Sequence, residues 1–114
     1  MAVYVDTMEA SYGRMKMCHL LADTDDELHA MADKIGVARK WWQRPPEHDS
    51  HYDIAKSKKA LAIAAGAIEI TWKQAGCMTM RRRMTGELGK PEDAVQWLTD
   101  RFEERQAARG ALNC

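Results

Sequence analysis

Residues 2–5 (AVYV) form a short apolar run of β-prone side chains that stops at Asp6, a pattern that predicts a strand. Residues 7–14 hold Ser11, Tyr12 and Gly13 and read as a loop. Residues 15–22 (MKMCHLLA) are apolar except for Lys16 and His19. A run of that length without alternation predicts a central strand buried on both faces, ended by Asp23. Thr24 and Glu27 then form a capping-box pair, with Asp25 and Asp26 in the first turn, where the helix dipole favours negative charge. Leu28, Met31, Ala32 and Ile35 follow at helical spacing, and Gly36 is the natural stop.

Residues 39–50 (RKWWQRPPEHDS) contain Pro45-Pro46 and are polar from residue 43 onward, so they read as an exposed loop. Residues 51–54 (HYDI) are a short extended segment. Residues 56–65, rich in Lys, Ala, Leu and Ile, suit a helix ended by Gly66. Residues 67–71 (AIEIT) read as a strand. Thr71 and Gln74 form a second capping box that opens a helix from Trp72 to about Arg83. After the glycine turn at 85–90, Pro91 starts a last helix with Val95, Leu98 and Phe102 on one stripe and Trp97 beside it. The resulting order of elements predicts an α/β fold: a small mixed sheet of three to four strands packed with helices, plus a C-terminal helical extension. Residues 1–84 are expected as the core and 85–114 as an extension of the same domain.

Composition narrows the function classes. The 114 residues carry 17 Lys+Arg and 17 Asp+Glu, so the net charge is zero and a nucleic-acid partner is not expected. No leader peptide or membrane span is expected, because residues 1–10 already hold Asp6 and Glu9 and the uncharged run 60–68 is short. Cys18, Cys77 and Cys114 make no disulfide or metal framework and fit a reducing cytoplasm.

The chemistry-bearing residues cluster at the ends of predicted elements. His19 lies inside an apolar strand, where an imidazole needs a partner. Asp6 and Asp23 end strands, where open α/β sheets place ligands. His29 sits one residue off the apolar stripe of the first helix. His51 and Asp53 are two apart and face the same way if extended. These six residues are expected to share one pocket. His and Asp suit a divalent metal or acid–base chemistry, and the metal set read from sequence is His19, His29, His51 and Asp53. The plainer alternative makes His19 a hydrogen-bonded sheet residue and Asp23 and Asp53 caps or turn formers. The Arg39-Lys40-Trp41-Trp42-x-Arg44 run can grip a phosphate and stack a flat ring, or can simply place one tryptophan in the core and leave the other exposed. Tyr12-Gly13-Arg14 offers an anion site, and Arg81–Arg83 read as a solvated helix end. Cys18 cannot work with His19, since neighbours on a strand point to opposite faces.

Together, Tyr4-Val5-Asp6, Gly13-Arg14, His19-Leu20-x-Ala22-Asp23-Thr24, Glu27-Leu28-His29, Gly36-Val37-x-Arg39, His51-Tyr52-Asp53 and Ala65-Gly66-Ala67 resemble the family catalogued as domain of unknown function 4031, carried by small bacterial and phage proteins. The resemblance spans about residues 3–72, with residues 73–114 as an added helical tail. It implies a compact cytosolic domain with these polar signature residues, and no particular activity.

Two functions follow as expectations. The first is a small-ligand binder: Asp6, Arg14, His19, Asp23, His29, Arg39, Trp41, His51, Tyr52 and Asp53 would hold an anionic, nucleotide-like molecule, such as a defence-signalling nucleotide sequestered by a phage protein. The second is a metal-assisted phosphoester hydrolase using His19, His29, His51 and Asp53, with Asp6 or Asp23 as base. An assembly role for the last helix is a third reading, and homodimers are expected from its apolar stripe.

Overall fold

The order of hydrogen-bonded partners turns the linear pattern into layers. A computed structural model describes residues 2–12, 15–44 and 46–112. Among the described residues, six strands form one mixed sheet: β1 (Val3–Asp6), β2 (Ala10–Tyr12), β3 (Met15–Ala22), β4 (Trp42–Gln43), β5 (His51–Ala55) and β6 (Ile68–Ile70). Their order is β4-β5-β3-β1-β6, with β2 also paired to β3. All pairs are antiparallel except β1 with β6. The helices are α1 (Asp25–Lys34), α2 (Lys56–Ala64), α3 (Trp72–Thr85) and α4 (Pro91–Leu112). The α/β class therefore stands, with two more short strands than the sequence pattern marked. They lie in segments that read as loops, because β2 and β4 are too short to show a period.

Alternation assigns each side chain to a face. Val5, Cys18, Leu20, Ala22, Tyr52 and Ile54 point to one side and pack with Leu28, Met31 and Ala32 of α1 and Ala62 of α2. Tyr4, Leu21 and Ile70 point to the other and pack with Ala75 and Met78 of α3, Leu88, and Ala94 of α4. β3 is buried on both faces only in its C-terminal half; Met15 and Lys16 are exposed. Among the described residues, no helix is long and apolar enough to cross a membrane.

Local chemistry sets the helix ends. Thr24 Oγ1 accepts from the Glu27 amide at 3.2 Å, while its hydroxyl donates to the Glu27 carboxylate at 2.8 Å. The glutamate thus returns to the hydroxyl rather than to the Thr24 amide. At α3, Thr71 and Gln74 close the full reciprocal box. Gly36 ends α1 at φ +79°, a conformation that L side chains rarely adopt.

The expected solvated end at Arg81–Arg83 is corrected by the fold. Arg81 is 6% exposed and donates to Leu88 O, Lys90 O and Asp93 Oδ1. Arg82 donates to His48 O, Ala22 O and Ser50 O. Only Arg83 is exposed. These arginines are used as donors for carbonyls that the turns leave unpaired, a need invisible to helix-end statistics. Arg81 also ties the 86–93 turn to α3. With Leu88 and Ala94 fully buried, the start of the C-terminal segment completes the second core, and only the second half of α4 stands clear.

Candidate functional site

A break in the β1–β2 edge creates the site. Val5 faces Leu20, whereas Ala10 faces Met17, so five steps along one strand (5 to 10) match three along the other (20 to 17). The two extra residues bulge out and leave the His19 amide without a carbonyl opposite it. The side chain of Asp6 fills that gap. Its Oδ1 accepts from the His19 amide at 2.9 Å and from the Met8 amide at 3.2 Å. Its Oδ2 stands 2.6 Å from His19 Nδ1. An ionised carboxylate only accepts, so Nδ1 carries the proton and the lone pair of His19 is on Nε2.

The register of β3 with β5 sets His19 directly opposite Asp53, and His51 lies two residues along β5 on the same face. His51 Nδ1 donates to Asp49 O at 2.5 Å, which leaves its lone pair on Nε2 as well. The two Nε2 atoms look at one oxygen: Asp53 Oδ1 is 3.7 Å from His19 and 3.4 Å from His51. The other Asp53 oxygen accepts from Gln43 Nε2 at 2.7 Å. One ligand atom from each of His19, His51 and Asp53 lies within 4.8 Å of the other two.

The charges follow this geometry. Burial pushes Asp6 upward, but its hydrogen bonds from the His19 ring and amide outweigh it and hold the carboxyl below the ordinary range. The hydrogen bond to Asp6 raises His19 against the opposing effect of burial. Burial works to lower His51, yet the bonds to Asp53 and the Asp49 carbonyl carry it upward. Asp53 is lowered, first by its bond with His51. Without a metal, a proton is the cation this cluster attracts.

Beside the cluster is a cleft of about 250 Å³. His19, His51 and Leu21 form its sheet wall, Trp72, Ala75, Gly76, Thr79 and Met80 its α3 wall, and residues 48–50 its end. Arg82 clamps that end through the His48 and Ser50 carbonyls and so fixes the approach to His51. Sequence pattern does not place His48 and Asp49 here, because the 3-10 turn Glu47–Asp49 that points them to the cleft has no periodic signal.

Not every expected residue joins. His29 lies on the opposite side of the sheet, its Nδ1 hydrogen-bonded to Tyr52 Oη at 2.8 Å and its ring edge-on to Trp42. Tyr52 neighbours His51 and Asp53 along β5, so alternation sends it to the α1 face. The four-residue metal set therefore separates into His19, His51 and Asp53 on one face and His29 on the other. Asp23 accepts from the Ala2 amide at 2.8 Å and holds the start of β1. Arg39 is exposed, 3.7 Å from Asp33. Trp41 is 57% exposed with Lys40 Nζ 5.1 Å from its ring, while Trp42 packs on the core and donates to Ser50 Oγ. Arg14 lies outside the described residues. Cys18 faces the first core, and burial pushes its thiol up to about 11, so it takes no part.

No curated protein and no solved structure matches the chain. One family model does, over residues 3–83. That span passes the strands and takes in nearly all of α3, the helix that walls the cleft, so α3 belongs to the shared domain rather than to an added tail. The chain belongs to the family described as protein of unknown function DUF4031.

Proposed function

We propose that the protein is a mononuclear metal-dependent hydrolase of phosphoesters, with His19 Nε2, His51 Nε2 and the Asp53 carboxylate as metal ligands. One observation carries this reading: with both rings neutral, three electron-pair donors converge, and among the described residues no hydrogen-bond donor lies between them. Each imidazole is oriented through its Nδ1–H, by a carboxylate or by a backbone carbonyl, the usual outer support of metal-bound histidine. Two imidazoles and a carboxylate suit zinc, and three protein ligands leave room for water and substrate. A bound divalent metal would supply a water acidified toward neutral pH.

The protein's own groups divide the remaining work. Asp6 is fully buried with both oxygens engaged, so it orients His19 and does not act as base. Asp23 is engaged at the N-terminal strand. His48 lines the same cleft, its ring without a hydrogen bond among the described residues, and it is the group placed to take the proton of the water. Direct anion capture without metal is less well supported by charge. Asp6, Asp49 and Asp53 surround the two imidazoles, while Arg39 and Arg44 sit against Asp33, Asp25 and Glu47. A cytoplasmic setting, in which Cys18 and Cys77 stay reduced, suits this reading.

The test is metal analysis of the full-length protein after dialysis against zinc, manganese or ferrous ion, followed by hydrolysis of bis(4-nitrophenyl) phosphate. One equivalent of metal and metal-dependent turnover are expected, both lost in His51→Ala. A wild-type protein that retains none of the three ions at micromolar concentration refutes the proposal.

A further inference from the structure

Helices α3 and α4 cover only part of their sheet face. They seal Tyr4, Leu21 and Ile70, and beyond His19 the same face stays open. Met15 is 49% exposed there and Met17 is half-buried. Beside them is a groove of about 500 Å³. Trp41, Met15, Met17 and Val37 line it, with Asp53 and Lys58 among its polar walls. Asp53 belongs to the histidine cluster as well, so the groove runs into the proposed metal site.

The lining has a definite chemistry. An exposed indole offers a stacking face, and thioethers make soft contacts with aromatic rings. Lys58 is half-buried, near Gly36, and has no ion-pair partner among the described residues. A Cβ at residue 36 would stand 3.2 Å from its Nζ, so the glycine leaves room for the ammonium as well as for the turn. A hydrocarbon chain would need no ammonium, and a bare phosphate would need no indole. The volume lies in the range of sites for small organic ligands.

We infer that this groove is the substrate-recognition half of the metal site: it takes a nucleotide-like phosphoester, with the planar base against Trp41 and the anionic group between Lys58 and Asp53's metal. The inference rests on the metal reading above, but its two halves are separable. Adenosine monophosphate serves as the probe, titrated calorimetrically into the full-length protein with zinc and again after chelator treatment, with ribose 5-phosphate as the ring-free control.

Trp41→Ala and Lys58→Met are each expected to weaken the nucleotide about tenfold or more in both conditions, with zinc content unchanged. Ribose 5-phosphate should bind at least about tenfold more weakly than the nucleotide. His51→Ala should abolish only the increment that zinc adds. Trp41-dependent nucleotide binding in a wild-type protein that takes up no zinc even when zinc is supplied supports the groove and refutes the metal reading alone. Equal affinity of wild type and Trp41→Ala, equal binding of the ring-free control, or no nucleotide binding by zinc-loaded protein overturns the inference.

Discussion

Asp6→Asn isolates the contact on which the site depends. The side chain is fully buried and nearly isosteric, so the fold should persist. The amide oxygen can still accept from the His19 and Met8 amides, at 2.9 and 3.2 Å in the wild type. The second oxygen, 2.6 Å from His19 Nδ1, becomes an NH₂ donor. His19 must then offer the Nδ1 lone pair and carry its proton on Nε2, which removes the lone pair that faces Asp53. Loss of such an outer-shell carboxylate typically costs about 10–100-fold in metal affinity. In metal-free protein, one charge-assisted hydrogen bond is lost, worth about 1.5–3 kcal/mol.

The pH dependence of that stability loss has a definite sign. Burial pushes Asp6 up, but its bonds to His19 hold it below the ordinary range. Its contribution is therefore complete above the unfolded value of about 3.9 and is lost as pH falls through the folded one. His19 is raised by Asp6, so its contribution is complete below about 6.5 and is lost as pH rises through its folded value. The difference between wild type and variant should be widest between about pH 4 and 6.5 and should narrow above it. Urea unfolding in chelator and competition titration with a zinc dye measure the two effects. Unchanged zinc affinity, or a stability difference as large well above the His19 range as at about pH 5, refutes the assigned role.

Three further outcomes test the fold around the site. His29→Ala should leave zinc affinity unchanged and cost about 0.5–1.5 kcal/mol through the lost Tyr52 bond, whereas a fall in zinc content would return His29 to the site. Deleting residues 99–112, whose described side chains are exposed, should barely move the unfolding midpoint, while deleting 86–112 should cost at least about 1.5–3 kcal/mol because Leu88 is then removed from the second core; equal midpoints would refute that packing. Cys18 should resist iodoacetamide at pH 8 in the native protein, since the thiol is buried and held up near 11; peptide mass spectrometry showing its rapid alkylation would contradict the burial.

Much of the framework was legible one segment at a time. Thr24 and Thr71 mark their helix starts because a capping side chain binds an amide three residues away, a relation contained in the local sequence. The apolar run 15–22 marks the central strand, and an imidazole placed inside it implied a partner, which is Asp6. Cys18 and His19 had to point apart because strand geometry alternates. The spacing of His51 and Asp53 put them on one face for the same reason, and the α/β class followed from the succession of elements.

What local pattern could not supply was register and facing. His19 meets Asp53 only because β3 pairs with β5 in one alignment, and a one-residue slip would send His19 to the other face from its partners. His29 looked equivalent to the other histidines in sequence, but the sheet stands between them because α1 packs on the Tyr52 face. The bulge that frees the His19 amide, the turn that delivers His48 and Asp49, and the carbonyls that engage Arg81 and Arg82 arise from where the backbone ladder fails to close. The sequence by itself determined which residues could carry charge, cap a helix or fill a core. Tertiary structure decided which of them meet, because that depends on pairing between segments dozens of residues apart, and no local periodicity encodes it.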